Sequence, residues 1–234
     1  MNIQILQLTE GARQARGLTV VIDVFRAFSV EAYFLSKGAE KIIPIGDAAQ
    51  AYALKEAMPD AILAGERHGK ILPGFDCGNS PSQLLPLDVR GKTVIHTTSA
   101  GTQGIANALH AQEILGCSLV TAKATADYIR ARHPETVSLV CMGLEALAPA
   151  DEDTLCARYI QSLLEGTELD LPAEMAGLRY TTGAKFFDPG LQDVFPEQDF
   201  HLCTMPNRFH FVLKLHKNQN GPDYIVPIPV KEVL

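Results

Sequence analysis

The sequence lacks the features that mark membrane and secreted proteins. No stretch approaches the roughly 18 to 20 consecutive apolar residues that a membrane-spanning helix needs. The N-terminal sequence, MNIQILQLTEGA, has neither the basic flank nor the long apolar run of a signal peptide. We therefore expect a soluble, cytoplasmic protein without a membrane partner.

An excess of basic residues is also missing. The 27 acidic residues outnumber the 20 lysines and arginines, which gives a formal net charge of −7 at pH 7. Nucleic-acid-binding proteins usually carry a basic face, so we expect no nucleic-acid partner. A small anionic substrate is compatible with this charge if local arginine or lysine side chains and a metal ion supply the attraction.

Cysteine is sparse, and its spacing argues against the common zinc motifs. The five cysteines are odd in number, widely scattered and free of CxxC pairs. Two of them, Cys117 and Cys141, lie at the ends of predicted buried strands. This pattern favours free buried thiols in a reducing cytoplasm over disulfides or a structural zinc site.

Short apolar runs alternate with helix-like segments along most of the chain. The run LTVVIDV, for example, is typical of a strand covered on both faces. The alternation predicts an α/β fold with a mostly parallel sheet covered by helices on both faces. We predict strands at 18–24, 41–45, 61–64, 93–97, 113–116 and 136–142, and helices at 26–37, 47–58, 102–110, 119–133 and 151–164.

The alternation is interrupted twice. A segment rich in glycine, proline, asparagine and serine runs from 65 to about 86, and loops of that length are usually functional or disordered. After Gly166 the pattern loosens again, before two strand-like runs at 209–215 and 224–230. We therefore divide the chain into an α/β core at 1–165 and a smaller α+β segment at 166–234, which packs on the same sheet or completes it with antiparallel strands.

Two polar segments follow predicted strands and hold most of the candidate chemistry. They are GERHGKILPGFDCGNSP, from Gly65 to Pro81, and HTTSAGT, from His96 to Thr102. Loops at the carboxyl ends of parallel strands are where α/β folds bind ligands. The carboxylates, cations, hydroxyls and glycines of these segments suit a small, highly anionic ligand accompanied by a divalent metal.

Asp23 and Arg26 flank the end of the first predicted strand. A carboxylate at the end of a buried strand is costly unless it is paired, bound to a metal or placed at the edge of the sheet. Arg26 opens the next helix, where an anion could meet both its guanidinium group and the helix N-terminus. The alternative is a structural Asp23–Arg26 pair that caps the turn.

The first polar segment contains adjacent residues of opposite charge, Glu66 and Arg67. Adjacent side chains point in different directions, so one can face a metal while the other clamps phosphate, and Asp76 is a further candidate metal ligand. The Arg-His-Gly triplet around His68 resembles that of histidine phosphatases but follows the third strand instead of the first, so we favour an ordinary loop histidine. Cys77 lacks the arginine six residues later that cysteine phosphatases require.

Several hydroxyl, amide and glycine residues are candidate ligands of the anion. The second polar segment offers hydroxyl and backbone N–H donors at a helix N-terminus, although it lacks the ending of a P-loop and the full dinucleotide fingerprint. The alternative is ordinary helix capping by Ser99. The candidates are Asn79, Ser80, Thr97, Thr98, Ser99, Gly101 and Thr102.

Three acidic residues, Asp151, Glu152 and Asp153, begin the helix after the last core strand. Acidic residues in a first turn oppose the helix dipole favourably, which explains them without a catalytic role. The alternative is that Glu152 or Asp153 reaches a metal or acts as a general base. Lys185 and Arg208, in the C-terminal segment, are further candidate cations, but no local motif distinguishes them from other basic residues.

Taken in order, VIDVFRA, LAGERHGKILPGFDCGNSP, GKTVIHTTSAGT and DEDTLCARYI resemble the 2-phosphosulfolactate phosphatase (ComB) family over roughly residues 18–165. The resemblance implies an α/β enzyme that uses Mg²⁺ to hydrolyse the phosphate monoester of a sulfonated 2-hydroxy acid in coenzyme M biosynthesis. Phe28 and Glu31 depart from the small residues expected after VIDVFRA, and we expect Phe28 to narrow the pocket. His96 and Ser99 are further departures.

A mechanistic hypothesis follows from these residues and the resemblance. Phosphoryl transfer needs little covalent help from the protein, so positioning and charge neutralisation dominate. The predicted sets are Asp23, Glu66 and Asp76 as Mg²⁺ ligands, Arg26 and Arg67 as phosphate clamps, Glu152 or Asp153 as the base toward the attacking water, and the TTSAGT turn as the site of phosphate or a second anion.

Other functions stay open at this point. A non-catalytic binder of a phosphorylated or sulfonated metabolite would keep the same cradle without turnover. A nucleotide-binding α/β domain is less favoured, because a complete glycine fingerprint is absent. A homodimer is the base-rate expectation for the oligomeric state.

Overall fold

The computed structural model describes residues 1–232 of the chain. The strands are β1 (Asn2–Gln7), β2 (Gly17–Ile22), β3 (Lys41–Pro44), β4 (Ile62–Arg67), β5 (Lys70–Ile71), β6 (Thr93–Thr97), β7 (Ala111–Cys117), β8 (Thr136–Cys141), β9 (Phe211–His216) and β10 (Tyr224–Pro229). The α-helices are α1 (Leu8–Gln14), α2 (Ala27–Ser36), α3 (Ala48–Ala57), α4 (Pro81–Leu84), α5 (Gly101–Asn107), α6 (Ala122–Arg132), α7 (Asp151–Glu165), α8 (Leu171–Leu178) and α9 (Glu197–Cys203). Short 3₁₀ helices cover Leu119–Thr121, Ala184–Phe187, Pro189–Leu191 and Val230–Glu232.

A ten-stranded sheet runs through the molecule in the order β1-β8-β2-β7-β9-β10-β3-β6-β4-β5. Strands β1, β8, β2 and β7 are mutually parallel, and so are β3, β6 and β4. Between these two groups, β9 and β10 pair antiparallel with each other and with their outer neighbours. The predicted mostly parallel sheet is confirmed, but its two parallel groups run in opposite directions within the sheet.

Residues at the carboxyl ends of both parallel groups line one cavity. They are residues that follow β2 and β8 in one group and β4 and β6 in the other.

Helices cover both faces of the sheet, as predicted. On one face, α2 and α5 pack against β2, β3 and β6 in a single apolar cluster. On the other face, α6 and α7 pack against β2, β7 and β8. Phe28 of α2 is fully buried, and a Cβ on Gly116 of β7 would lie 2.5 Å from its ring. The expectation that Phe28 narrows the pocket is therefore wrong, because its ring fills a gap over this glycine in the core.

The predicted strands and helices of the core are all present, with ends shifted by up to three residues. The segment from 65 to 86 is more regular than expected, because β4 continues to Arg67, β5 pairs with it, and α4 begins at Pro81. The first fourteen residues, for which we predicted no element, form β1 and α1. The division at residue 165 stays a prediction, while β9 and β10 of the later segment lie inside the sheet.

Two further expectations concern single features of the chain. Among the helices formed by residues 1–232, none has the length and apolar character required to traverse a bilayer. All five cysteines are free and buried, as their spacing predicts.

Candidate active site

A cavity of about 310 Å³ lies where the loops after β2, β4, β6 and β8 meet the first turn of α7. The segment between α8 and α9 contributes Lys185 and Phe195 to its wall. Its location agrees with the rule that α/β folds bind ligands at the carboxyl ends of their strands. The lining residues are Asp23, Phe25, Arg26, Glu66, His68, Gly69, Asn79, Ser99, Ala100, Gly143, Leu144, Glu145, Glu152, Lys185 and Phe195.

Asp23 follows β2 directly and is only 5% exposed. Its Oδ1 accepts a hydrogen bond from the backbone N–H of Ala27 at 3.0 Å. Burial, together with the negative charges of Glu66 and Glu152, raises the pKa of Asp23 to about 6. A Cβ on Gly101 would lie 3.0 Å from Asp23 Oδ2, so a glycine is what allows the β6–α5 turn to approach this carboxylate.

Glu66, near the end of β4, is also buried, and three donors hold its carboxylate. The Oε1 atom accepts from the backbone N–H of Ser99 at 2.8 Å. The Oε2 atom accepts from the backbone N–H of Gly69 at 2.7 Å and from Ser99 Oγ at 3.2 Å. Since each carboxylate oxygen can accept about two bonds, Oε1 keeps room for another ligand.

Glu152 of α7 and Lys185 of the 3₁₀ helix Ala184–Phe187 face the same cavity. Within the described residues, the buried Oε2 of Glu152 has no hydrogen-bond partner. Burial raises the pKa of Glu152 and lowers the pKa of Lys185. Each group therefore favours its neutral form more than an exposed one would, which is typical of side chains that exchange protons or receive a charged ligand.

Asp153, the next residue of α7, holds backbone together instead of lining the cavity. Its Oδ1 accepts from the backbone N–H of Val24 and its Oδ2 from that of Gly143, both at 2.8 Å. The carboxylate thus ties the ends of β2 and β8 to α7. Of the two candidate bases, Glu152 is the one that lines the cavity, and its buried Oε2 has no hydrogen-bond partner among the described residues.

Arg26 lines the cavity from the start of α2, and its partner comes from the far end of the chain. Its Nη1 donates to Asp199 Oδ2 at 2.7 Å, with both side chains buried. The guanidinium carbon also lies 4.9 Å from the ring centroid of Phe195, a favourable cation–π distance. Because Asp199 is the ionic partner found among residues 1–232, the alternative of a capping Asp23–Arg26 pair is wrong.

The structure does not bring Arg67 to this cavity. Its guanidinium donates to the backbone oxygens of Glu66 and Gly46 and, at 2.8 Å, to Thr97 Oγ1. It lines a separate groove beside the start of α3. The predicted divergence of Glu66 and Arg67 is therefore present, but Arg67 points away from the carboxylates.

Asp76 also lies elsewhere. Its Oδ2 accepts from the backbone N–H of Leu63 at 2.8 Å and lies 3.5 Å from Lys55 Nζ. Its side chain is 47% exposed. Asp76, which we expected to be the third metal ligand, therefore lies outside the cavity, where it supports β4 and pairs with a lysine of α3.

Among the candidate anion ligands, Asn79 and Ser99 line the cavity. Ser80 caps α4 by accepting from the backbone N–H of Gln83 at 3.3 Å. Ser80 also lines an adjoining cavity of about 320 Å³, which shares Arg26 and Asn79 with the first. The polar segment before α4 therefore contacts two neighbouring cavities.

The remaining candidates shape the β6–α5 turn. Thr97 accepts from Arg67, and Thr98 and Thr102 bond to each other, with Thr102 Oγ1 donating to the Thr98 carbonyl at 3.0 Å. Gly101 begins α5 and makes room for Asp23. Ala100, not Ser99, occupies the N-cap position, so the expected capping role of Ser99 is wrong, and its side chain donates to Glu66 instead.

Three other side chains were considered from the sequence. His68 lines the cavity but is 80% exposed, and its Nδ1 lies 2.9 Å from Glu145 Oε1. Burial raises the pKa of Cys77 to about 12, which disfavours the reactive thiolate. Arg208 lies 5.8 Å from the ring centroid of Tyr33 and does not line the cavity.

Sequence reasoning missed most of the wall that the late segment supplies. Lys185 was not distinguishable from other lysines, and Phe195 and Asp199 carried no motif. The one signal was the density of aromatic residues between Phe186 and Phe200, whose rings pack around Arg26. An aromatic cluster of this kind surrounds a buried cation but does not identify it.

The carboxylates at the cavity are the side chains that could bind a metal ion. Within residues 1–232, no three side chains of His, Cys, Asp or Glu are grouped so that they could hold a metal ion by themselves. Asp23 and Glu66 do face one cavity, and each keeps unused oxygen lone pairs. Mg²⁺ commonly takes one or two carboxylates and completes its shell with waters and substrate phosphate.

Sequence comparison relates this chain to one protein family and to individual proteins from several bacteria. The model of the family described as 2-phosphosulpholactate phosphatase matches residues 3–218. A Bacillus subtilis protein named "probable 2-phosphosulfolactate phosphatase" is 31% identical over 225 residues, 95% of this chain and 97% of that protein. Proteins of the same name are 40% identical over 148 residues in Caldicellulosiruptor saccharolyticus (62% of this chain, 61% of that protein) and 39% over 165 residues in Carboxydothermus hydrogenoformans (70% and 68%).

Proposed function

The chain belongs to the 2-phosphosulpholactate phosphatase family, and on this basis we propose that it is a Mg²⁺-dependent phosphoric monoester hydrolase. The proposed substrate is the phosphate ester of a small anionic 2-hydroxy acid, with 2-phosphosulfolactate, hydrolysed to sulfolactate and phosphate, favoured by the relatives' names. The observation that carries the proposal is a strand-end cavity where carboxylates meet Arg26 and Lys185. A role in coenzyme M biosynthesis, a cytoplasmic location and a homodimer stay predictions.

The charges around the cavity support the need for a cation. Four carboxylic acids line it, whereas its arginine and lysine are Arg26 and Lys185, and Arg26 is already paired with Asp199. A substrate with a phosphate and a second acidic group would meet net repulsion at such a site. A divalent cation supplies the missing positive charge without any further basic side chain.

Asp23 and Glu66 are the residues that would hold the ion. Both are buried, and Glu66 is close enough for its charge to raise the pKa of Asp23. Two adjacent hard oxygen donors match the small protein share that Mg²⁺ usually accepts. When bound, the ion neutralises phosphoryl charge and polarises a water molecule.

The other cavity residues bind the substrate and move a proton. Arg26 and Lys185 orient the phosphoryl oxygens, since charge-assisted hydrogen bonds to cations are strong and directional. Glu152 accepts a proton from the attacking water, and the raised pKa of this buried carboxyl makes it a better base than a surface glutamate. Phe25 and Phe195 supply apolar wall beside these residues.

A test of the proposal measures phosphate release from 2-phosphosulfolactate and from a panel of other phosphomonoesters, with Mg²⁺ and with EDTA. Asp23→Asn and Glu66→Gln should each abolish Mg²⁺-dependent release and leave the circular dichroism spectrum unchanged. Asp76→Asn is the matched control, because Asp76 pairs with Lys55 outside the cavity, and it should retain activity. Near-normal release by both cavity variants would remove these carboxylates from the mechanism.

The same panel distinguishes the hydrolase from a non-catalytic binder. If the esters raise the melting temperature of the wild-type protein and no phosphate is released under any metal condition, the hydrolase proposal fails. The cradle of Arg26, Lys185 and the carboxylates would then serve to hold a phosphorylated metabolite.

A further inference from the structure

Behind the cavity, a buried chain of hydrogen bonds runs from α2 through β6 to the cavity wall. Glu31 and His96 are fully buried, and Glu31 Oε1 lies 2.8 Å from His96 Nδ1. His96 Nε2 lies 3.3 Å from Asn79 Oδ1. Asn79 in turn lines both neighbouring cavities. A carboxyl, an imidazole and an amide thus connect the core with the candidate active site.

These contacts determine how many protons the Glu31–His96 pair holds. The amide oxygen of Asn79 can only accept a hydrogen bond, so His96 Nε2 must carry a proton. The contact between Nδ1 and Glu31 requires a second proton, either on Nδ1 beside a carboxylate or on Glu31 beside a neutral imidazole. In both forms the pair holds two protons, and Nε2–H donates to Asn79.

Loss of one proton from the Glu31–His96 pair would reverse the orientation of the Asn79 amide. If the remaining proton sits on His96 Nδ1, the bare Nε2 faces another lone pair on Asn79 Oδ1, and the amide must turn so that its NH₂ group donates to Nε2. A carbonyl oxygen would then face the cavity in place of a donor. Burial raises the pKa of the Glu31 carboxyl, with His96 as the charged neighbour that opposes the rise, which helps to retain the second proton.

We propose that Glu31 and His96 are positioning residues that hold the Asn79 amide with its NH₂ group directed into the cavity, as a donor to an anionic oxygen of the substrate. Within the described residues, Asn79 Nδ2 donates no hydrogen bond, so the group is free for a ligand. The identity of that ligand rests on the proposed function. The order of donors and acceptors from Glu31 through His96 to Asn79 does not depend on the proposed function.

The donor order is measurable without turnover. NMR of the wild-type protein labelled with ¹⁵N-histidine, at neutral pH, should show a proton bonded to His96 Nε2, and His96→Leu identifies the resonance by its loss. A His96 imidazole that is unprotonated at Nε2 under these conditions overturns the inference.

A double-mutant cycle tests whether His96 acts through Asn79. The measured quantity is the dissociation constant of inorganic phosphate in the presence of Mg²⁺, determined by calorimetry. Asn79→Ala and His96→Leu should each raise it by up to about tenfold, the value of a lost hydrogen bond. The double variant should bind no more weakly than Asn79→Ala alone, whereas fully multiplicative effects overturn the inference.

Variants of Glu31 separate positioning from packing. Glu31→Gln keeps an N–H donor toward His96 Nδ1 and should retain phosphate binding, whereas Glu31→Met keeps the length of the side chain without a polar group and should weaken it. Glu113→Gln is the matched control, because Glu113 of β7 pairs with Lys214 of β9 and lines neither cavity. Equal binding by the glutamine and methionine variants of Glu31 overturns the positioning role.

The two proposals fail in different ways. If the wild-type protein binds inorganic phosphate but releases none from any phosphomonoester, the hydrolase is refuted and the cycle still decides the role of His96. If hydrolysis is normal and the cycle is multiplicative, only the positioning role is overturned.

Discussion

The guanidinium group of Arg26 and the carboxylate of Asp199 form a buried ion pair at 2.7 Å between residues 173 positions apart in the chain. The second oxygen of Asp199 accepts from the backbone N–H of Ser82 at 2.9 Å. One carboxylate thus connects α2, α4 and α9 and places a cation at the cavity.

Removing this carboxylate should be costly. Asp199→Ala leaves the Arg26 charge buried without a partner, so we expect the free energy of unfolding to fall by about 3–5 kcal/mol. Urea denaturation measures the change. The control is Glu174→Ala, which breaks the half-exposed pair with Arg158 at 2.9 Å and should cost less than about 1 kcal/mol. Similar losses in both variants would show that Arg26 does not depend on Asp199.

Asp23→Asn should stabilise the metal-free protein at pH 7 while it removes phosphate release. Burial raises the pKa of Asp23 from 3.8 to about 6. A carboxyl group whose pKa is higher in the folded state contributes stability below about pH 4, and that contribution is lost as the pH rises through 6. At pH 7, ionised Asp23 therefore opposes folding by on the order of 3 kcal/mol, which asparagine avoids.

Chemical denaturation in EDTA between pH 4 and 8 measures this difference. The wild-type protein should lose stability relative to Asp23→Asn as the pH rises across this window. Added Mg²⁺ should then stabilise the wild type and have little effect on the variant. Parallel stability curves would contradict the raised pKa.

Substitution of Lys185 and of Arg67, two candidate phosphate-binding cations, should have different effects. Lys185→Met removes a charge that faces the cavity and should raise KM by roughly tenfold or more, since hydrogen bonds to charged groups contribute about 1.5–3 kcal/mol. Arg67→Met should leave KM near the wild-type value and lower the melting temperature, because Arg67 donates to Thr97 and to backbone oxygens. Steady-state kinetics with thermal denaturation separates these effects, and the opposite pattern would make Arg67 the phosphate clamp.

Gly101→Ala should reduce Mg²⁺-dependent activity. The added Cβ would lie 2.7 Å from Ala27 Cβ and 3.0 Å from Asp23 Oδ2, so the carboxylate or the turn must shift. The control is Gly177→Ala in α8, where the added Cβ meets no atom within 4 Å and should stabilise the helix by about 0.5–1 kcal/mol. Wild-type activity in Gly101→Ala would show that the position of Asp23 tolerates this displacement.

The sequence was sufficient to predict most elements of the core, although not β1 and α1. LTVVIDV is mostly apolar because β2 is covered on both faces. The helix predicted at 47–58 is α3, which Asp47 caps by accepting from the backbone N–H of Ala49 at 2.6 Å. Those signals are local. The placement of β9 and β10 between the two parallel groups depends on long-range pairing, for which no local pattern exists.

Residues of the candidate site were predictable only where their position in a strand or helix determines where the side chain points. Asp23 and Glu66 come near the ends of strands, and Glu152 lies in a first helical turn, so each reaches the same region. Arg67 was assigned to that region as well, but adjacent residues of a strand point to opposite faces, so Arg67 of β4 points away from Glu66. Asp76 was also assigned there, but it lies in the loop before α4, whose path no local pattern determines. Asp199 could not be found, because its partner is distant in sequence.

The position of β9 and β10 also has a consequence for biosynthesis. Among the described residues, β3, β6 and β4 join β7 through this hairpin alone, so the sheet becomes continuous only after residue 229 has emerged from the ribosome. Until then the nascent chain carries two unpaired strand edges, at β7 and β3, and open edges invite aggregation. Because both parallel groups line the cavity, it can be completed only after this pairing, and the intermediate that precedes it is exposed to aggregation.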